Sequence, residues 1–197
     1  TLHNTLFPYT TLFRSLEELT ALVDEAHAAG RKVACHAWAN TEGIKNAIAA
    51  GVDTLEHAVF LDDEDVAAMK AAKITYVPTL AFMDMIWDVA SPDQMQYLQV
   101  SIDKARHLLE SHRASVRRAH EHGVRIAMGS DAYRVLPHGE NAREISALAA
   151  AGLSPMQALK AATINAARAL AVDGATGSID RGKLADFLVL WANPLDD

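Results

Sequence analysis

The segment "KVACHAWANTEGIKNAIAAGVDTLEHA", residues 32–58, determines the fold prediction for this chain. Two short apolar runs, residues 32–37 and 53–58, flank an amphipathic stretch that ends at Gly51. A short apolar run bounded by turn signals predicts a buried strand, and the apolar spacing between the runs predicts a helix. The order strand, helix, strand therefore predicts a parallel βαβ unit.

The same alternation continues on both sides of this unit. Capping boxes at Ser15 and Ser154 and a glycine after most helical stretches support the boundaries. Further helices are predicted at residues 15–30, 61–73, near Asp93 to His122, 139–152 and 154–170, and further strands at residues 74–80 and 125–132. The tail differs, because charged and glycine-rich turns surround the apolar run "FLVLW" at residues 187–191, which predicts a strand outside the α/β repeat.

Length and composition limit the function classes. The 197 residues can bury one sizeable core, and 50% of them are hydrophobic. A net charge of -7 argues against nucleic acid or an anionic membrane as the main partner. No apolar run approaches the roughly 20 residues that cross a bilayer. The single cysteine, Cys35, excludes an internal disulfide, and it is expected to pack on the face of its strand opposite to His36.

Three polar residues follow the predicted strands at equivalent ends. His36 closes "KVACH", His57 closes "DTLEH", and Asp131 follows "RIAMGS". Side chains at the carboxyl ends of parallel strands converge on one face, and two imidazoles with a carboxylate suit a divalent ion such as zinc. The alternatives are structural roles, with hydrogen-bonded core histidines and an aspartate that caps a turn.

Longer strings carry a family resemblance. Residues 33–69, "YVPTL" at 76–80, and "GVRIAMGSDAYRVLPHGENAREISALAAAGLSPMQALKAATINAARALAV" at 123–172 resemble the amidohydrolase superfamily of metal-dependent hydrolases. The similarity is greatest to the branch that contains imidazolonepropionase and the Xaa-Pro and Xaa-Arg dipeptidases. It implies an α/β fold, namely strands five to eight of a (β/α)8 TIM-type barrel at residues 16–172. It also implies the start of a small β-sandwich at residues 173–197.

The resemblance also implies roles for individual residues. His36 corresponds to the metal ligand on strand five, His57 to the ligand on strand six, and Asp131 to the aspartate that is both a metal ligand and the proton shuttle. His138 is expected to contact substrate or to order its loop. The family's strand-one His-x-His pair and strand-four lysine have no match in this chain. The number of ions in the whole protein therefore stays open: one or two divalent ions are expected, with zinc favoured.

The implied activity is hydrolysis of a dipeptide or similar small amide by metal-activated water. Three alternatives remain: an imidazolonepropionase-like hydrolase of a cyclic amide, a truncated chain that is inactive alone, and a metal-free barrel that only binds ligands. No nucleic-acid or membrane partner is expected, a homo-oligomer stays open, and a cytoplasmic location is favoured. The helical histidines His27, His107, His112, His120 and His122 are expected to face solvent.

The opening residues have a different origin in this interpretation. "TLFPYTTLFRS", residues 5–15, is what a widely used sequencing adapter encodes when it is read in frame, as happens in metagenomic reads. Residues 1–15 are therefore expected to be non-native. The chain is interpreted as a fragment that begins after the fourth strand of its barrel.

Overall fold

The computed structural model describes residues 5–6, 15–89, 99–132 and 137–196. Strands and helices alternate along the first half of the chain, and helices dominate the second half. The strands are β1 (Thr5–Leu6), β2 (Lys32–Ala37), β3 (Thr54–His57) and β4 (Thr75–Val77). The helices are α1 (Leu16–Ala28), α2 (Thr41–Ala50), α3 (Asp63–Ala72), α4 (Leu80–Val89), α5 (Gln99–Glu121), α6 (Arg143–Ala150), α7 (Pro155–Lys160) and α8 (Ala166–Ala169), with a π-helical turn at Ala161–Asn165 between α7 and α8. These residues form an α/β fold, as the alternating pattern predicts.

The four strands form one parallel sheet in the order β1-β2-β3-β4. Each strand therefore lies beside its neighbour in sequence, and the intervening helix crosses over the sheet. The register pairs His36 with Glu56 and Ala37 with His57. This pairing brings the carboxyl ends of β2 and β3 to the same edge, which is where the sequence places its two histidines.

Side-chain caps fix where several helices begin. Ser15 and Glu18 form a reciprocal capping box at α1, and Ser154 with Gln157 forms another at α7. Asn40 caps α2 by accepting hydrogen bonds from the backbone N–H groups of residues 42 and 43. These caps satisfy N–H groups that have no partner within the helix, and they confirm the predicted helix starts.

Two predicted strands are not formed within the described residues. Residues 125–132 contribute a single parallel bridge, Tyr76 with Ile126, and residues 187–191 have no strand partner. A strand needs a neighbour for its backbone hydrogen bonds, and β propensity alone does not provide one. In the tail this leaves large apolar side chains exposed, namely Leu184, Phe187, Leu188, Val189, Leu190 and Trp191.

The core lies between the sheet and the helices that cross it. Its largest fully buried side chains include Tyr76, Leu55, Ile44 and Leu148. Cys35 is also fully buried in this core, as the alternation along β2 predicts. Among the described residues, no helix is both long and apolar enough to cross a membrane.

Candidate active site

The imidazole rings of His36 and His57 lie in contact at the carboxyl edge of the sheet. Their centroids are 4.5 Å apart, and the rings meet edge to face at 71°. His36 is the penultimate residue of β2 and His57 is the last residue of β3. The parallel register therefore produces the pair, because it brings both strands to this edge within one residue of each other.

His57 is buried and held through both its ring and its backbone. It is only 5% exposed, and its φ of 66° lies in the left-handed region, where the strand turns away from the sheet. The ring Nδ1 is 2.6 Å from the hydroxyl of Thr79. The backbone carbonyl of His57 accepts hydrogen bonds from the hydroxyl of Tyr76 and from Nε2 of His112, each at 2.8 Å. These contacts come from β4, the loop after it and α5, so several elements fix this one residue.

Burial keeps His57 and His112 neutral at physiological pH. It lowers the pKa of His57 to about 3, and the neighbouring His36 and His112 lower it further in the same direction. Burial likewise lowers the pKa of His112 to about 4, although nearby backbone carbonyls favour the protonated form. A neutral imidazole carries a lone pair on one nitrogen, which is the form that a metal ion requires.

Asp131 lies after the short segment that bridges to β4. It is exposed, and its φ of 47° is also left-handed. Asp131 interacts electrostatically with Glu56, the residue before His57. Burial raises the pKa of Glu56 to about 7, and the charge of Asp131 acts in the same direction. A hydrogen bond from Thr54 lowers this pKa. Within the described ranges, however, no three His, Cys, Asp or Glu side chains lie close enough together to hold a metal ion. The structure thus brings His36 and His57 together, while the role of Asp131 stays a prediction.

Almost the whole length of the chain is similar to proteins of one known family. The model of the amidohydrolase family matches residues 6–196. The chain belongs to the amidohydrolase family. Ochratoxinase from Aspergillus niger is 35% identical to this amidohydrolase chain over 185 residues, which are 93% of the chain and 37% of ochratoxinase.

Solved structures with the same fold include dipeptidases. A Xaa-Pro dipeptidase with bound methionine in its active site is 32% identical with a TM-score of 0.84, over 98% of this chain and 49% of that one. A proposed prolidase from Bifidobacterium longum is 34% identical with a TM-score of 0.86, over 98% of this chain and 51% of that one. The amidohydrolase chain thus spans about half the length of these proteins, or less in the case of ochratoxinase.

Other residues of the amidohydrolase site are placed less directly. His138 is exposed in the turn before α6, and residues 133–136 lie outside the described ranges. Trp38 meets His57 edge to face at 5.1 Å and Phe82 at 6.4 Å, so it forms an apolar wall beside the histidine pair. Asn40, which also follows His36, caps the start of α2.

The expectation for His112 is wrong. The sequence predicts a solvent-facing helical histidine, but the side chain of His112 is fully buried against the backbone of His57. The polar neighbours "ESHRAS" suggest an exposed helix face, whereas His112 lies on the buried face of α5 together with Leu109, Ser115 and Val116. Thr79 is not predicted as a site residue, because only its place in "YVPTL", directly after a strand, distinguishes it from an ordinary loop threonine.

Proposed function

We propose that the whole protein is a metal-dependent hydrolase of small amides, with a dipeptide as the favoured substrate class. The observation that carries the proposal is the contact between His36 and His57 at the carboxyl edge of a parallel sheet. Membership of the amidohydrolase family supports a hydrolase, and similarity to a Xaa-Pro dipeptidase over 98% of the chain supports the substrate class.

The donor set fits a divalent ion of borderline softness. Two imidazoles on adjacent strands suit zinc, and catalytic zinc sites combine such ligands with an open coordination position. His36 and His57 would hold the ion, and Asp131 would join them. A bound ion of this kind lowers the pKa of coordinated water and polarises a carbonyl oxygen.

The chain's own residues would act around that ion in distinct ways. His36 and His57 fix its position, because both are carried on paired strands and His57 is anchored by its ring and its backbone. In this proposal Asp131 takes a proton at its carboxylate and returns it to the leaving nitrogen, which is general acid–base catalysis. Trp38 lines one side of the site and limits the access of solvent to the buried imidazole of His57.

The test uses the whole protein encoded by the source gene, purified without added chelator. Metal content is measured by elemental analysis, and hydrolysis is followed by amine release from a panel of Xaa-Pro and other dipeptides. We expect stoichiometric divalent metal, and we expect His36→Ala and His57→Ala to lose both metal and activity. Asp131→Asn should retain the metal while turnover falls by roughly 10²- to 10⁴-fold.

His107→Ala is the matched control, because His107 is exposed on α5 and lies outside the histidine cluster. Thermal melts of all variants separate loss of the site from loss of the fold. Dipeptide hydrolysis that survives both His36→Ala and His57→Ala, or a fully active protein without metal, would contradict the proposal.

A further inference from the structure

Thr79 occupies a constrained position directly behind the ring of His57. It is 3% exposed, and its φ of 58° is left-handed, which is uncommon for a β-branched residue. Its hydroxyl oxygen lies 2.6 Å from Nδ1 of His57 and 2.6 Å from the carbonyl oxygen of Pro78. A residue stays in this unfavourable backbone region only where its surroundings hold it there. For Thr79, the two short polar contacts of the hydroxyl are part of those surroundings.

The hydrogen atoms of these two contacts can be assigned by counting donors. The carbonyl of Pro78 can only accept, so the single hydroxyl hydrogen of Thr79 points to it. The oxygen of Thr79 must then accept the hydrogen bond from His57, which makes Nδ1 of His57 the donor. Since neutral imidazole carries one hydrogen, Nε2 of His57 bears the lone pair.

The rest of the surroundings are consistent with a ring that presents Nε2 outward. The hydroxyl of Tyr76 bonds the carbonyls of both His57 and Ala58, at 2.8 and 3.0 Å, and His112 donates a second hydrogen bond to the carbonyl of His57. These donors fix the backbone from which the ring projects. In the described part of the chain, no hydrogen bond to Nε2 of His57 is formed, while Nδ1 is engaged.

We propose that Thr79 is a positioning residue that holds His57 as the Nδ1–H tautomer and so directs the lone pair of Nε2 toward the metal position. The role toward metal rests on the function proposed above, whereas the tautomer does not. Partners that donate to or accept from the second nitrogen of a histidine ligand orient the ring and tune its basicity, and their loss commonly lowers metal affinity by about 10- to 100-fold.

The first measurement reads the tautomer without metal. The 197-residue chain, labelled with ¹⁵N-histidine, is studied by long-range ¹H–¹⁵N correlation, and His57 is assigned from the resonances that vanish in His57→Gln. We expect a protonated Nδ1 and an unprotonated Nε2 in the parent chain. Thr79→Val, which keeps the β-branched shape but lacks the hydroxyl, should shift His57 to a mixture of tautomers, and Thr79→Ser should retain the parent pattern.

Thr75→Val is the matched control, since Thr75 is 2% exposed on β4 and its substitution also removes a buried hydroxyl. The second measurement is the affinity for Zn²⁺, from competition with a chromophoric chelator. Thr79→Val should bind Zn²⁺ at least about tenfold more weakly than the parent. Thr79→Ser should remain within about threefold, and Thr75→Val should match the parent.

The possible outcomes separate the two proposals. An Nε2–H tautomer in the parent, or a Thr79→Val variant with unchanged tautomer and Zn²⁺ affinity, overturns the role of Thr79. A parent chain and a whole protein that both bind no Zn²⁺, with His57 still Nδ1–H and still altered by Thr79→Val, would refute the metal site and confirm the tautomer. If Thr79→Val does not fold, the parent tautomer and the Thr79→Ser affinity decide the question.

Discussion

Replacing Glu144 should change how the stability of this protein depends on pH. Glu144 is fully buried near the start of α6, and its two carboxylate oxygens accept hydrogen bonds from the backbone N–H groups of Leu80 and Ala81 at 2.9 and 2.6 Å. These are the first N–H groups of α4, which lack partners within the helix. One buried carboxyl group therefore ties the helix after β4 to α6.

The size of the effect follows from the pKa of this group. Burial raises the pKa of Glu144 from its ordinary 4.5 to about 8, and the two backbone hydrogen bonds only partly oppose that rise. Between these values the folded chain keeps a proton that the unfolded chain has lost, so stability falls as the pH rises. The full difference corresponds to about 5 kcal/mol in the free energy of unfolding, present below pH 4.5 and lost by about pH 8.

Glu144→Gln removes the titration while keeping one acceptor oxygen. The variant should lose about 1–3 kcal/mol at pH 5, because its amide NH₂ faces one of the two backbone N–H groups. Its deficit should shrink or reverse by pH 8, where the parent holds a buried charge. Urea unfolding at half-unit steps from pH 5 to pH 8.5 measures this difference, and Glu121→Gln serves as the control because Glu121 is exposed.

A flat pH dependence would refute the reasoning. If the difference in the free energy of unfolding between the parent and Glu144→Gln stays constant from pH 5 to pH 8, the carboxylate is already ionised in the folded chain across this range. In that case the two N–H groups and the positive end of the α4 dipole outweigh the cost of burial. The m-value should stay constant across the series, because a change in m would indicate altered compactness and not altered titration.

Two further substitutions test local packing and hydrogen bonding in the fold. Gly177→Ala should destabilise the chain by about 1–3 kcal/mol in urea unfolding, since φ is 88° and an added Cβ would lie 2.6 Å from that of Ala167. Gly174→Ala, where an added Cβ meets nothing within 4 Å, is the control, and equal effects of both would contradict the prediction. Tyr76→Phe should cost about 1–3 kcal/mol, because two buried backbone carbonyls lose their shared donor. An unchanged urea midpoint would contradict this prediction.

The sequence was informative wherever local patterns decide the structure. The βαβ unit at residues 32–58 appears as β2, α2 and β3, and the Ser15 and Ser154 boxes cap helices as expected. These features depend on residues within one or two turns of each other, so a single sequence contains them. The two strand-end histidines also came together, because parallel register follows directly from the alternation of elements.

The failures occurred where structure depends on distant partners. The run at residues 187–191 has strong β propensity but no neighbouring strand within the described residues, so its large side chains remain exposed. Helix α4 begins at Leu80 inside the segment predicted as a strand, and its first N–H groups are satisfied by Glu144, more than sixty positions away. The sequence of residues 74–80 contains no pattern from which one could predict that a carboxylate of another helix accepts hydrogen bonds from the start of α4.

The same limit applies most strongly to the environment of His57. The sequence identifies a histidine at a strand end, yet the chemistry of that histidine depends on which nitrogen carries the hydrogen. That is decided by Thr79, 22 positions later, whose hydroxyl is itself committed to the carbonyl of Pro78. His112, 55 positions later, has the polar neighbours of a surface residue but is buried against the His57 backbone. A strand-end histidine in the sequence therefore predicts where a side chain that could bind metal lies. The orientation and protonated nitrogen of that side chain depend on the loop after β4 and on α5.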